Sequence, residues 1–301
     1  MIVLKNDLMI KNTLVIIFLM LLSNRMFSQD TIKRIDRQMI ENIQKTGTWE
    51  KPQIEIKKHW MSNSGDYLFM YTNVYNPHGY YTLNYDTDRQ KTVHFEGSQE
   101  GSKIYFKGFN PEDFYRPIME FSGAIDANNF LKGTWCEIPE NGRKTDLKKV
   151  VFSPINNLKT MDYKVQTFVS NIEHNLYVSK LKITFNMSGK QQILENFIAR
   201  PITNELLLED FNFDGYLDIS MYYDLAVENG REEYSIFWLY NPELQQFEPS
   251  DFLNQSKVMY SSADAQKKQL EVSTKDKKNF ESTFYYVKFE NGKAVGLEEE
   301  K

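Results

Sequence analysis

Cysteine and histidine are scarce in this 301-residue sequence, which has one cysteine, Cys136, and four histidines. A single cysteine cannot form a disulfide within the chain, and this excludes the disulfide-stabilised class of small exported domains. The histidines, His59, His78, His94 and His174, stand apart and show no spacing typical of zinc ligands. We therefore expect them to be ordinary strand or surface residues, and we expect Cys136 to be a buried structural thiol rather than a nucleophile.

Sequence signatures of catalysis are also missing. The chain has no Gly-x-Ser-x-Gly elbow, no His-Glu-x-x-His pair, no Walker loop and no dinucleotide-binding glycine fingerprint. Asp and Glu residues number 41, but no two of them stand out as the acid and base of a glycosidase-like pair. We predict a protein that is not an enzyme, and we keep open an enzyme with an unmarked carboxylate pair.

The chain carries a small excess of negative charge. Its 36 Lys and Arg against 41 Asp and Glu give a net charge of −5. Because this charge repels phosphates and anionic lipid headgroups, we expect neither nucleic acid nor a membrane surface as a partner. The same charge favours association with a basic protein.

Long apolar runs are missing except for one at residues 14–22. This run follows Lys5 and Lys11, is shorter than the ~20 residues that span a bilayer, and is typical of a secretory signal segment. We predict a signal peptide over residues 1–29, no membrane span after processing, and a periplasmic or extracellular location. An uncleaved N-terminal anchor is the alternative. Removing residues 1–29 removes three positive charges and one negative charge, so the net charge changes from −5 to −7.

Short apolar stretches separated by Asn, Gly, Asp and Pro clusters indicate antiparallel β-structure through most of the chain. A polar segment at residues 153–157 predicts a boundary between an N-terminal β domain, residues 30–155, and a C-terminal β domain, residues 156–301. We expect a mainly β fold in which a small barrel or sandwich precedes a propeller-like or meander sheet domain. Apolar residues at helical spacing over residues 30–44 predict one short helix that covers the first domain.

The most informative pattern is a loop at residues 210–218 in which suitable oxygen ligands recur at every second position. These positions are Asp210, Asn212, Asp214, Tyr216 and Asp218. Ca²⁺ takes about six to eight oxygen ligands, and side chains at the first, third, fifth and ninth positions of a loop supply them, with a backbone carbonyl at the seventh. Gly215 stands at the sixth position, where the loop turns sharply and a positive φ is needed. The spacing therefore predicts a calcium site.

An ordinary turn is the alternative, since Asp-Gly between apolar residues is also a hairpin signal. The pattern is not a complete EF-hand, because Met221 stands at the twelfth position, where a bidentate Glu is expected. Residues 219–223 indicate a strand rather than a helix. A calcium loop followed by a strand would join segments of a sheet.

A long hairpin is predicted to begin at this loop. Asn229-Gly230 is a strong type I′ turn signal between two apolar and aromatic stretches, residues 219–227 and 233–240. Most of the aromatic side chains are expected in the core, and a minority at an interface. The polar tip is the expected contact with a protein partner, and its residues are Glu228, Asn229, Gly230, Arg231 and Glu232.

Part of this region follows a pattern known from one protein family. The residues that follow this pattern are 210–219, Asn229, Tyr234, 238–242 and Phe247. These residues resemble the C-terminal domain of exported bacterial calcium-binding β proteins, whose loop is related to FG-GAP calcium loops. Characterised members are periplasmic immunity proteins that inhibit lysozyme-like peptidoglycan hydrolases. Unlike the best-known members, this chain has no lipid-attachment cysteine and has an additional β region at residues 48–153.

The resemblance covers residues 162–297 and is distinctive only within residues 210–247. It implies a cell-wall hydrolase or toxin as the partner and a calcium ion held by Asp210, Asn212, Asp214, Tyr216 and Asp218. We therefore hypothesise an exported, non-enzymatic calcium-binding protein that inhibits or neutralises a peptidoglycan hydrolase as an immunity-type protein. An envelope- or carbohydrate-binding module, with aromatic side chains as a sugar platform, is the alternative.

Overall fold

The fold is described from a computed structural model. It covers residues 37–72, 77–82, 92–110, 113–155, 158–159, 162–201, 203–227, 230–275 and 282–299. The predicted signal peptide, residues 1–29, lies outside the described residues. The described residues form twenty strands and two helices, which confirms the mainly β fold and the short helix near the N-terminus. Neither of these helices has the length and apolar character needed to cross a membrane.

The helices are α1 (Arg37–Thr46) and α2 (Asp251–Gln255). The first nine strands are β1 (Thr48–Glu50), β2 (Gln53–Ser62), β3 (Tyr67–Thr72), β4 (His78–Thr82), β5 (Thr92–Glu100), β6 (Lys103–Asn110), β7 (Asp113–Ile125), β8 (Leu131–Glu137) and β9 (Lys148–Pro154). The next seven are β10 (Tyr163–Ile172), β11 (Asn175–Phe185), β12 (Gln191–Leu194), β13 (Glu205–Glu209), β14 (Asp218–Val227), β15 (Gly230–Asn241) and β16 (Gln246–Pro249). The last four are β17 (Val258–Asp264), β18 (Gln269–Lys275), β19 (Ser282–Glu290) and β20 (Lys293–Glu299).

Strands β2 to β9 form a closed antiparallel barrel, because each strand pairs with the next and β9 pairs back with β2 at Trp60↔Pro154. A barrel of about eight strands encloses an interior just wide enough for side chains to fill. Aromatic rings fill it here: the Phe106 ring stacks on Phe95 with centroids 4.2 Å apart and on Phe121 at 4.7 Å. Cys136 of β8 is buried, as predicted. Of the two predicted forms of the first domain, the structure has the barrel.

Strand β2 belongs to the barrel and to a second sheet at the same time. Its first residues pair in parallel with β13, from Gln53↔Glu205 to Ile56↔Leu208, whereas its last residues pair with β9. The barrel wall therefore continues as the sheet β13–β14–β15–β16, which does not close. This continuation places the last residue of β13, Glu209, beside the middle of β2.

The β13–β16 sheet is packed on both of its faces. Successive side chains of a strand point to opposite faces, and β15 follows this rule. Ile236 and Trp238 join the core shared with β10 and β11, whereas Phe237 and Leu239 join the core shared with β17, β18 and β19. The C-terminal half is thus built from antiparallel meanders, which is one of the two forms predicted for it.

The N-terminal helix covers a different part of the molecule from the one predicted. Helix α1 packs on β10 and β11, where Ile43 is buried against Tyr177 and the Ser170 hydroxyl donates to the Ile43 carbonyl at 2.7 Å. Strand β1 then pairs with β10. Gly47 connects α1 to β1, and it lies so close to Phe168 that a Cβ at this position would be 2.7 Å from the Phe168 ring. The expectation that the helix covers the first domain was wrong, because its apolar face is matched by the second.

Candidate functional site

The predicted calcium loop connects two antiparallel strands of the central sheet. It follows Glu209 at the end of β13 and leads into Asp218 at the start of β14, and these two residues are paired in the ladder. Gly215 has a φ of 88°, as its position in the pattern predicts, and Phe213 also adopts a positive φ of 60°. The left-handed backbone at these two residues lets the loop coil tightly between the strands.

The loop coils around the carboxylate of Asp210. One oxygen, Oδ1, accepts the Asp214 backbone N–H at 3.0 Å, and Oδ2 accepts the Gly215 N–H at 3.0 Å. The Asp214 carboxylate repeats the pattern one step further, because its Oδ1 accepts the Tyr216 N–H at 2.8 Å. The first and fifth positions of the pattern therefore set the backbone path of the whole loop.

Asp218 links the two ends of the loop to the hairpin that follows. Its side chain is fully buried, at 0 % exposure. Oδ2 accepts the Phe211 N–H at 2.9 Å, and Oδ1 accepts the Tyr240 N–H of β15 at 2.8 Å. A single carboxylate thus joins the start of the loop, the start of β14 and the end of β15.

Two further contacts connect the loop to distant segments. The Asn212 amide donates from Nδ2 to the Gly292 carbonyl in the β19–β20 turn at 3.0 Å. The Gly215 carbonyl accepts the Lys159 N–H at 2.8 Å, and the Lys159 ammonium lies 3.9 Å from the centre of the Tyr216 ring. The loop is therefore a junction of four chain segments rather than an isolated turn.

Burial and mutual repulsion shift the acid–base properties of the loop. Burial, with the nearby Asp214 carboxylate as the second cause, raises the pKa of Asp210 to about 7. Burial also raises the pKa of Asp218 well above its ordinary value, although the N–H groups of Tyr240 and Phe211 partly oppose this shift. Burial and repulsion between the carboxylates therefore disfavour their ionised forms, and a bound cation would favour those forms and lower the two pKa values.

The donor set of the loop fits calcium in its chemistry. Three carboxylates, the Asn212 side-chain oxygen and the Tyr216 carbonyl are all hard oxygen ligands, which Ca²⁺ prefers. Across the residues that the structure describes, no group of three or more His, Cys, Asp or Glu side chains is arranged to hold a metal ion. In this structure the loop carboxylates instead accept hydrogen bonds from backbone N–H groups of the loop and of β15.

The hairpin formed by β14 and β15 extends from this junction. Its register pairs Val227 with Gly230, so Gly230 lies in a strand rather than in the turn, one residue away from the predicted arrangement. Glu228 and Asn229 lie outside the described residues, and so do the side chains of Arg231 and Glu232. The predicted partner-binding tip therefore remains a prediction.

The aromatic residues of the hairpin are mostly core residues, as expected. Phe237 and Trp238 are buried, on opposite faces of the sheet. Tyr240 lies against Tyr216 of the loop, with ring centroids 5.1 Å apart. Tyr222, at 39 % exposure, is among the large apolar side chains that remain accessible. The packed rings stabilise the base of the hairpin and are not available to a partner.

A second cluster, which the sequence did not reveal, lies directly beside the loop. The Glu209 oxygen Oε1 accepts from Lys57 Nζ at 3.1 Å and from His59 Nε2 at 3.0 Å, and His59 Nδ1 lies 2.5 Å from the Tyr67 hydroxyl. All four residues are buried. Lys57 and His59 share one face of β2, and only the β2–β13 pairing brings Glu209 to them, so no local motif marks the group.

The charge states of this cluster follow from its contacts. Burial alone raises the pKa of the Glu209 carboxyl, but the Lys57 ammonium and the His59 N–H outweigh it and hold this pKa below its ordinary value. Burial lowers the pKa of His59 below its ordinary value, which favours the neutral ring at pH 7. A neutral ring that donates from Nε2 to the carboxylate accepts a hydrogen bond from the Tyr67 hydroxyl at Nδ1.

No protein-family model matches this sequence, and no curated protein matches it significantly.

Proposed function

We propose that this chain is an exported, non-enzymatic calcium-binding protein that binds and inhibits a lysozyme-like peptidoglycan hydrolase, as immunity-type proteins do. The observation that supports this best is the position of Asp218. Its buried carboxylate bonds to both the loop and the end of β15. An ion bound at the loop would therefore act directly on the base of the hairpin.

The proposed ion would be held by the residues of the sequence pattern. Its ligands would be the side chains of Asp210, Asn212, Asp214 and Asp218 and the backbone carbonyl of Tyr216. When bound, calcium supplies positive charge that offsets three crowded carboxylates. The protein supplies the backbone path, which the Asp210 and Asp214 hydrogen bonds already fix in a tight coil.

The function of the ion would be to hold the β14–β15 hairpin in one conformation. A partner that binds an ordered hairpin avoids the entropic cost of ordering it, which favours tighter binding. The Val227↔Gly230 pair, next to the predicted tip at residues 228–232, is the pair of the β14–β15 ladder that lies furthest from the loop along both strands. We place the contact with the hydrolase at this tip.

Charge is the second support for a hydrolase partner. The chain carries a net charge of −5, and complementary charge raises association rates with basic proteins such as many cell-wall hydrolases. Because this electrostatic steering is screened by salt, the rate of inhibition should fall as ionic strength rises.

The proposal predicts calcium-dependent inhibition of at least one lysozyme-like hydrolase. The protein, purified after export, is mixed with a panel of muramidases, and clearing of a peptidoglycan suspension is followed with calcium and with EDTA. We expect inhibition with calcium and at least about tenfold weaker inhibition with EDTA, as binding to a hairpin that is held less firmly at its base loses roughly 1.4 kcal/mol or more. The variant Asp214→Ala should behave like the EDTA sample. Exposed Asp146, which lies outside the loop, provides the matched control Asp146→Ala.

A substitution at the tip separates the binding surface from the metal site. Glu232→Lys should weaken inhibition and leave the calcium-dependent rise in melting temperature unchanged, because residue 232 is not a proposed ligand. Absence of inhibition and of any complex across the panel, with calcium present, would exclude the hydrolase proposal.

A further inference from the structure

A cleft of about 300 Å³ lies between the outer wall of the barrel and the β17–β20 sheet. Its barrel side includes Tyr67 and Phe69 of β3 and Tyr80 of β4. Its other side includes Asp264 of β17 and Gln269 and Glu271 of β18. No residue of the 210–218 loop contributes to the cleft, so it is separate from the proposed calcium site.

The barrel side of the cleft is an aromatic wall. Phe69 and Tyr80 are direct neighbours across β3 and β4, and their ring centroids are 5.3 Å apart. Tyr80 contacts the Phe69 and His94 rings and is still 43 % exposed, so part of its ring surface faces solvent. This wall therefore presents aromatic surface to solvent inside a concave site.

One ring of the aromatic wall, that of Tyr67, is held in place from behind. The Tyr67 hydroxyl bonds to His59, and His59 in turn bonds to Glu209. Because all of these groups are buried, the Tyr67 ring is fixed from behind by the cluster that joins β2 to β13. A ring that is already fixed lowers the conformational cost of binding a ligand against it.

The opposite wall is polar and carries acceptors. Asp264 and Gln269 are paired across β17 and β18, and Glu271 lies two residues further along, on the same face of β18 as Gln269. Two carboxylates accept hydrogen bonds, and an amide both donates and accepts them. The part of the cleft lining that the structure describes contains no lysine or arginine.

We propose that this cleft binds a neutral carbohydrate. A pyranose ring has an apolar C–H face that packs on aromatic rings and a rim of hydroxyl groups that donate to carboxylate and amide oxygens. The two walls of the cleft match these two surfaces of a sugar. Without a basic side chain in the described lining, the site does not attract phosphates, nucleotides or acidic sugars. Ligand pockets typically have this combination of apolar lining and a few placed polar groups.

The proposal goes beyond hydrolase inhibition and does not depend on it. The sugar would contact the barrel and the β17–β20 sheet, whereas the hydrolase would contact the hairpin tip. One chain could then hold a glycan of the cell envelope while it binds an enzyme that attacks such glycans. Each activity can be lost without the other, so the two proposals are tested separately.

Calorimetric titration of the protein, purified after export, tests the cleft. The probes are tri-N-acetylchitotriose, cellotriose and maltotriose, each added up to about 10 mM, so that binding as weak as a dissociation constant of about 1 mM is detected. We expect saturable binding of at least one of these neutral trisaccharides. Tyr80→Ala should weaken it by roughly tenfold, and Glu271→Gln by a few-fold, because they remove a stacking surface and an acceptor respectively.

Tyr105→Ala is the matched control, since Tyr105 is similarly accessible, at 38 % exposure, on strand β6 but does not line the cleft. It should leave sugar binding unchanged. Choline serves as a rival probe, because aromatic rings with carboxylates also bind organic cations. Binding of choline but of no trisaccharide, absence of any saturable sugar binding, or sugar affinity unaffected by both Tyr80→Ala and Glu271→Gln would each overturn the proposal.

Discussion

Replacing Lys57 with methionine is expected to lower the free energy of unfolding by about 3–5 kcal/mol, which is the usual cost of breaking a buried ion pair from one side. The Lys57 ammonium lies 3.1 Å from the Glu209 carboxylate, and both side chains are 1 % exposed. Methionine fills a similar volume but leaves the carboxylate with only the His59 N–H as a partner in this cluster. The substitution also removes the ammonium that lies 4.8 Å from the Phe69 ring centre.

Urea denaturation of the wild type and variants measures this effect. The double variant Lys57→Met/Glu209→Gln should recover most of the loss, because a neutral amide in place of the carboxylate can still accept the His59 N–H. Lys45→Met is the matched control, since Lys45 pairs with Glu41 on the exposed surface of α1 and such pairs contribute only about 0–1 kcal/mol. Equal losses in Lys57→Met and Lys45→Met would contradict the buried-pair account.

The cost of Lys57→Met should also depend on pH. Lys57 helps to hold the pKa of Glu209 below its ordinary value, so this contribution to stability is present above the unfolded-state pKa and is lost as the pH falls. Without Lys57 the buried carboxyl is expected to take up a proton at a higher pH. The difference in unfolding free energy between variant and wild type should therefore be smaller near pH 5 than at pH 8.

Calcium is expected to raise the unfolding free energy by about 2.7 kcal/mol when its free concentration is 100 times the dissociation constant. For a chain of this size that corresponds to a rise in melting temperature of roughly 4–5 °C. Scanning calorimetry with calcium and with EDTA measures the shift. Asp214→Ala should abolish it, whereas Asp146→Ala should preserve it. A melting temperature of the wild type that does not change with calcium would identify the loop as an ordinary acidic turn.

The loop carboxylates determine how the stabilisation by calcium changes with pH. Burial raises the pKa of Asp210 to about 7 and that of Asp218 well above its ordinary value, so the metal-free folded protein holds protons that the unfolded chain releases from about pH 4 upward. Stability from these groups is present at low pH and is lost as the pH rises towards 7. The calcium-induced rise in melting temperature should therefore be larger at pH 8 than at pH 5.5, where protons compete with the ion.

Local patterns in the sequence were enough to predict the fold class. The hairpin strands predicted at residues 219–227 and 233–240 fall within β14 and β15, and the positive φ predicted at Gly215 is present. Local backbone preference and side-chain alternation determine these features, and both are visible in short windows.

Long-range pairing could not be predicted in the same way. The parallel pairing of Leu208 with Ile56 joins strands from the two halves of the chain, and neither strand has a short-range signal that specifies the other. The meeting of Lys57 and His59 with Glu209 depends on that pairing. The helix was likewise assigned to the wrong partner surface, because amphipathic spacing shows that a face is covered but not what covers it.

The loop at residues 210–218 is central to the proposed function, and a direct count of bound calcium tests it most simply. Protein that has been treated with chelator and then equilibrated with calcium is dialysed, and its metal content is measured by atomic emission. The account predicts one calcium ion per wild-type chain and a loss of that ion in both Asp214→Ala and Asp218→Asn, with Asp146→Ala unchanged. No retained calcium in the wild type, or one ion that both loop variants still retain, would contradict it.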